Sequence, residues 1–391
     1  MSETMTPREM LGRLVAFPTV SRDSNLDLVE FTRAYLAGHG IESRLVPNAE
    51  GTKANLYAQI GPDVAGGVVL SGHTDVVPVD GQSWTTDPFR LTEKGGNLYG
   101  RGSCDMKGFC ATALALVPEM VAADLKRPIQ LALSYDEEVG CRGVGSMIAE
   151  MRETMPPAEA VIVGEPTMME VVTAHKGGVG LWTTVKGFEV HSSLMHTGVS
   201  AVMTAARLIG WHDEANREAR ARAEAADRSD VRFLFEPPFS TFHCGVIEGG
   251  TAANITAKHC RFSTDMRVVS SEDADDWFAA YRARVEEVER EIRAVRPEAG
   301  IELEIRFRNN GLRPETAGAA EALARAITGD NAPHAVSYGT EAGFFQDAGY
   351  SVVVCGPGSI EQAHQPDEFI ASEQLDRGAD FMRRLIGRLA S

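Results

Sequence analysis

Val68-Val69-Leu70-Ser71-Gly72-His73-Thr74-Asp75 is a short apolar run that ends on an imidazole and a carboxylate. Two more segments repeat that design: residues 129–134 lead into Tyr135-Asp136-Glu137-Glu138, and residues 160–163 into Gly164-Glu165-Pro166. A continuous apolar run bounded by polar residues is the pattern of a strand buried on both faces. Between these runs, residues 106–125 and 142–152 carry helical spacing. Strands alternating with helices predict an α/β domain of three layers, with a mixed, mostly parallel sheet in the middle. Ligands of such sheets gather beyond the carboxyl ends of the strands. His73, Asp75, Glu137, Glu138 and Glu165 fall there, and Asp105 sits in the glycine-rich turn GRGSCDMKG (100–108) that opens a helix.

On the N-terminal side, Thr6-Pro7 reads as a helix start, with threonine as cap and proline at the first helical position. A second helix carries Leu28, Phe31, Tyr35 and Leu36 and closes at Gly38-His39-Gly40. Residues 41–46 and 56–60 read as strands, and Pro118 should kink or end the helix that runs through it. After Lys176 the pattern changes to a strand at 179–185, a helix at 199–226, strands at 242–247 and 260–268, a helix at 273–295 and a strand at 301–307. That order, βαββαβ, predicts a ferredoxin-like α+β domain. It spans residues 178–312, inserted into a first domain made of 1–177 and 313–391. The first domain resumes with helices at 317–327 and 340–348, a strand at 351–355 and a closing helix at 373–389.

A chain of 391 residues suits two such domains. The formal charge of −17 repels nucleic acid and anionic membrane, so neither is an expected partner. Six cysteines without a CxxC pair fit packing residues of a reducing compartment. The N-terminus is polar and acidic, unlike a signal peptide, and no stretch reaches the roughly 20 apolar residues of a membrane helix. A cytoplasmic location is expected.

Each polar group has a plain role when taken singly: an aspartate at a helix start is a cap, and a loop histidine such as His364 is seldom a ligand. Together, two histidines and three or four carboxylates at the ends of different β-runs suit two divalent ions sharing a bridging carboxylate. Nitrogen and oxygen donors without thiolate point to zinc, with cobalt or manganese as alternatives; Cys104 is read as packing. Adjacent Glu137 and Glu138 can divide their roles, one ligating and one moving protons. No phosphate-binding glycine motif and no G-x-S-x-G elbow competes with this reading.

FPTVSRDSN (17–25), SGHTDVVPVDGQSW (71–84), LYGRGSCDMKG (98–108), SYDEEVGCRG (134–143), IVGEPT (162–167), HKG (175–177), GGTAANI (249–255), YGTEAGFFQDAG (338–349) and CGPGSIEQAHQPDEF (355–369) complete the picture. On these motifs the chain resembles the dinuclear-zinc aminoacylase and carboxypeptidase family of metallohydrolases, over nearly its whole length. The resemblance implies one zinc on His73 and Glu165, the other on Glu138 and His364, and Asp105 between them. It implies Glu137 as general acid/base and Asp75 as the partner that orients His73. It also implies a homodimer through the inserted domain, in which His191 of FEVHSSLMHTG (188–198) reaches the neighbour's site and holds an oxyanion, with His196 its non-matching neighbour. Asn254, Arg267, Gly339, Thr340 and Gly358 fall where the family contacts substrate or lines the pocket. The implied reaction removes the acetyl group from N-acetyl-L-ornithine, a step of arginine biosynthesis, using water activated between the metals. Another N-acyl amino acid, succinyl-diaminopimelate or a dipeptide are alternative substrates; a non-catalytic binding protein would show damage in the ligand set, which is filled. Glu341 and Glu361 are candidates to meet the ornithine ammonium. Ser103-Cys104 and Leu194-Met195-His196 depart from the family pattern.

Overall fold

The computed structural model describes residues 4–391. The chain divides into two units: one takes the chain up to Thr173 with Pro314–His334 and Thr340–Ser391, the other takes Ala174–Arg313 and Ala335–Gly339.

The first unit is built on an eight-stranded sheet whose first six strands, in order, are Ser43–Pro47, Ala54–Ile60, Ile129–Ser134, Gly67–His73, Ala158–Pro166 and Val352–Gly356. The last four of these run parallel, and the first two join them antiparallel. Side chains of a strand alternate between faces, and the core follows that alternation. Val68, Leu70, Leu131, Ile162 and Val353 point to a face covered by helices Pro7–Val15, Leu26–Gly38, Lys107–Ala115, Ala319–Thr328 and Ser372–Leu389. Val69, Val161, Val163 and Val354 are buried on the other face, where Val144–Thr154 and Ala342–Asp347 pack. The result is an α/β fold of three layers with a mixed sheet and a parallel centre.

Local signals act where expected. Thr6 and Glu9 form a reciprocal capping box at Pro7–Val15. Pro118 lies in the first turn of Val117–Ala122, which is thereby separated from Lys107–Ala115 at Leu116. A small sheet made of Thr92–Lys94, Asn97–Tyr99 and Phe369–Ala371 was not expected, because three-residue strands are too short to show a period.

The second unit is an α+β insert. Its sheet runs Thr241–His243, His259–Val268, Gly177–Lys186, Gly300–Asn309, all antiparallel, with Ile247–Gly249 also paired to His259–Val268. Helices Ala201–Ala225 and Ala274–Val295 cover the face that carries Val179, Leu181 and Val185. This is the ferredoxin-like order with one correction. The expected strand at 242–247 is broken at Cys244-Gly245, because the N–H groups of Gly245 and Val246 turn to the Ser263 hydroxyl at 3.2 and 3.0 Å. Among the described residues no helix is long and apolar enough to cross a membrane.

Candidate metal centre

Four elements of the first unit deliver the clustered groups. His73 is the last residue of its strand and is fully buried. Its Nδ1 faces the Asp75 backbone carbonyl at 2.9 Å, which leaves Nε2 toward Asp105 Oδ1 at 3.0 Å and Glu165 Oε1 at 3.8 Å. Glu165 is carried within Ala158–Pro166; its neighbour Gly164 crosses the Phe109 ring so closely that a Cβ would lie 2.0 Å from it. Only glycine allows that approach.

Across Asp105 stands His364, whose Nε2 lies 3.3 Å from Asp105 Oδ2 and 2.9 Å from Glu138 Oε2. The two oxygens of one carboxylate therefore face two imidazoles. Glu137 and Glu138 leave the Ile129–Ser134 strand together, and their backbone N–H groups donate to Asp75 Oδ1 (3.1 Å) and Oδ2 (3.3 Å). Asp75 thus braces both sides of the cluster, and the Ser21 hydroxyl holds it at 2.6 Å. Ligand atoms of His73, Glu137 and Glu165 lie within 4.8 Å of one another, as do those of His73, Asp105 and Glu138.

The electrostatics fit a cation. Burial and the neighbouring carboxylates push Glu137 up to about 8 and Glu138 up to about 7, and raise Glu165 well above the usual carboxylate range. Hydrogen bonds to Asp105 and Glu138 push His364 up to about 10. Burial alone would lower His73, but Asp105 and Glu165 reverse it and hold it high. Burial opposes ionisation of Asp105 too, yet the two imidazoles hold it low. Protons on these groups do the work that positive charge would otherwise do. Two of the thiols nearby are turned elsewhere: Cys104 Sγ donates to the Ser359 carbonyl and Cys110 Sγ to that of His73. The donor set of imidazole and carboxylate is one that zinc accepts.

These shifts set a pH dependence for metal-free protein. Unfolded glutamates titrate near 4.5, so raised Glu137 and Glu138 make the fold lose stability as pH rises from there through about 7 to 8. His364 adds stability that is complete below 6.5 and lost as pH passes about 10. Asp105 adds stability that is complete above 3.8 and lost only below it. Lys107, lowered by burial to about 7, contributes the opposite sign above that pH, so chelated protein should show a melting temperature that falls from about pH 5.5 to 7, more steeply than metal-loaded protein. A melting temperature that climbs over that interval without metal would contradict the assignment.

Four residues of the site escape sequence reading. Ser21 sits beneath Asp75 as described. Glu368, almost fully buried, accepts from the N–H groups of Gly102, Cys104 and Asp105 and pairs with the Arg101 guanidinium at 2.7 Å. Arg101 in turn donates to Gln82, and Gln82 to the His364 carbonyl. Glu368 and Arg101 stand inside quoted motifs, but nothing in spacing pairs them across the chain.

Glu341 requires a correction. It is fully buried, and its two oxygens accept from Ser71 (2.5 Å) and Ser134 (2.7 Å), so it ties two strands together and cannot meet a substrate ammonium. Glu361 lies exposed on the turn Ile360–Gln362. Thr340 is buried with its hydroxyl accepting the Ala342 N–H, and Gly358 donates to Gln374 Oε1. In the second unit His191 is exposed and its Nδ1 accepts the Ser193 N–H. Asn254 lies beside it, its carbonyl accepting the Ser192 N–H at 2.8 Å. Arg267 pairs with Asp265 at 3.0 Å over the Phe307 ring, and Gly339 lies against Asn309 and the Lys176 carbonyl.

The family model described as Peptidase family M20/M25/M40 matches residues 69–388. The chain is a member of this family. The M20/M25/M40 match takes in each of the clustered groups from His73 to His364. An acetylornithine deacetylase of Myxococcus xanthus is 35% identical, covering 99% of this chain and 98% of that protein. Another, of Pasteurella multocida, is 31% identical over 98% of each. Among solved structures, an M20 family metallo-carboxypeptidase of Sulfolobus solfataricus superposes with a TM-score of 0.76 at 17% identity, over 99% of both chains; at that identity the likeness speaks for the fold.

Proposed function

We propose that the chain hydrolyses N-acetyl-L-ornithine to ornithine and acetate, with two divalent cations, zinc foremost, as its cofactor. The observation that carries the proposal is Asp105, whose two carboxylate oxygens face His73 and His364 at 3.0 and 3.3 Å. The substrate follows from relatives more than 30% identical over almost the whole chain.

His73 and Glu165 would hold one cation, Glu138 and His364 the other, and Asp105 both. When bound, the pair acidifies a water toward neutrality and polarises the amide carbonyl. Glu137 takes the water's proton as the new C–O bond forms, then delivers it to the amide nitrogen as the C–N bond breaks. An amine leaves badly unless protonated, and Glu137, whose carboxylate stands beside the proposed ligands His73 and Glu165, is placed for both transfers. The Cys141 thiol donates to Glu137 Oε1 at 3.2 Å and fixes the carboxyl's orientation. Asp75 keeps the glutamate pair and His73 in register.

His191 of a second copy would donate to the oxygen on which charge develops; one such donor typically contributes about 3 kcal/mol. Two features of the inserted unit support a paired assembly. Leu194, Met195, Met203, Val246 and Ile247 are 45–63% exposed, and apolar surface so exposed favours burial against a partner. The strands Thr241–His243 and Ile247–Gly249 form a sheet edge with one paired side among the described residues. Asn254, Arg267, Gly339, Thr340 and Gly358 are the proposed substrate-binding residues.

Comparing N-acetylornithine, N-acetylmethionine and N-succinyl-diaminopimelate tests the substrate. N-acetylornithine should lead in kcat/KM by at least about tenfold, the scale of one well-matched group in a pocket. A lead for the succinyl compound would overturn the assignment.

A further inference from the structure

The two halves of the metal centre are not supported alike. His73 and Glu165 belong to strands in the middle of the sheet, and the His73 ring is fully buried and held at both nitrogens. His364 belongs to no strand or helix. It has a positive φ of 64° between the turn Ile360–Gln362 and the strand Phe369–Ala371, and its side chain is 52% exposed. A loop residue of that kind has little local packing to fix it. What does fix it is a line of hydrogen bonds behind the site.

Gln82 Nε2 donates to the His364 carbonyl at 2.8 Å. Gln82 Oε1 accepts from Arg101 Nη2 at 2.5 Å and from Trp84 Nε1 at 3.0 Å, and the guanidinium lies over the Trp84 ring at 5.0 Å. Arg101 Nη1 donates to Glu368 Oε2 at 2.7 Å, and Glu368 Oε1 accepts the Asp105 N–H at 3.1 Å. The path runs from the backbone of one proposed ligand, His364, to the backbone of another, Asp105, without passing through the site itself. At Gln82 the side-chain amide donates through Nε2 and accepts through Oε1 at once. Asparagine is one methylene shorter, and glutamate lacks the donor.

We infer that Gln82, backed by Arg101 and Glu368, is a positioning residue that sets the affinity of the His364–Glu138 cation position and leaves the His73–Glu165 position unaffected, resting on the two-cation reading above. Groups that orient metal ligands from behind typically change affinity by about 10–100-fold when removed. Gln82 is only partly buried, so its replacement leaves the core intact.

The experiment is a zinc titration of metal-free full-length protein by calorimetry, repeated with cobalt and read by its visible absorption. Wild type, Gln82→Ala, Gln82→Glu and His364→Ala are compared, the last marking which binding event belongs to His364. Both Gln82 variants should weaken that event by about 10–100-fold and keep the other within about twofold, with an unchanged metal-free melting temperature. Two events of wild-type affinity in both Gln82 variants would overturn the inference. So would equal weakening of both events, which is what general loosening produces. Gln82→Glu behaving as wild type would overturn the role of the bond to the His364 carbonyl. A wild-type protein that takes up a single equivalent would overturn the two-cation reading, and the inference with it.

Discussion

Glu137→Ala is expected to keep both cation positions and to lose about 10²–10⁴-fold in turnover, the range of a positioned general acid/base. The five proposed ligands, His73, Asp105, Glu138, Glu165 and His364, keep their contacts when this side chain is cut back. What disappears is the group that moves a proton from water to the leaving nitrogen. KM should change little, since an alanine here removes no proposed substrate contact. Metal analysis makes the outcome decisive, because Glu137 also stands within 4.8 Å of ligand atoms on His73 and Glu165. A variant that drops a cation would make Glu137 a ligand. A variant with two cations and near wild-type turnover would remove it from the mechanism.

Mixing inactive Glu137→Ala chains with inactive His191→Ala chains should restore about one quarter of wild-type activity, if each site draws His191 from the neighbouring copy of a twofold dimer. Half of the randomly formed dimers would be mixed, and each would hold one site with both groups intact. Subunit exchange is followed separately with tagged chains. Exchange without recovered activity would show that His191 does not cross between copies, and a chain that stays monomeric at assay concentrations would end the proposal.

Much of this was legible in the sequence for one physical reason. A strand buried on both faces is mostly apolar, so the charged residues that follow it mark the rim of the sheet. Residues 129–134 are a strand of those bounds, and Glu137 and Glu138 follow it. The close approach of Gly164 to the Phe109 ring emerges only in the fold. What stayed hidden depends on partners far apart in the chain. Glu341 looks like an exposed acid in a glycine-rich segment, and only the sheet brings Ser71 and Ser134 to it. Arg101 and Glu368 each look like solvated charges until the fold buries them together. The interruption at Cys244-Gly245 came from the Ser263 hydroxyl, a competitor for backbone N–H groups that no alternation of apolar residues reveals.

The pairing of Phe369–Ala371 with Asn97–Tyr99 has a consequence in time as well as in space. A ribosome delivers the strands bearing His73 and Glu165 long before it delivers His364 and Glu368. Until that late segment docks, Arg101 has no carboxylate to meet and the turn around Asp105 has nothing to accept its N–H groups. A nascent chain can therefore assemble most of its first sheet, since domains form as units while synthesis proceeds, yet still lack a finished centre. Catalytic competence waits for residues 364–371, so a product terminated before them would be folded in part and inert.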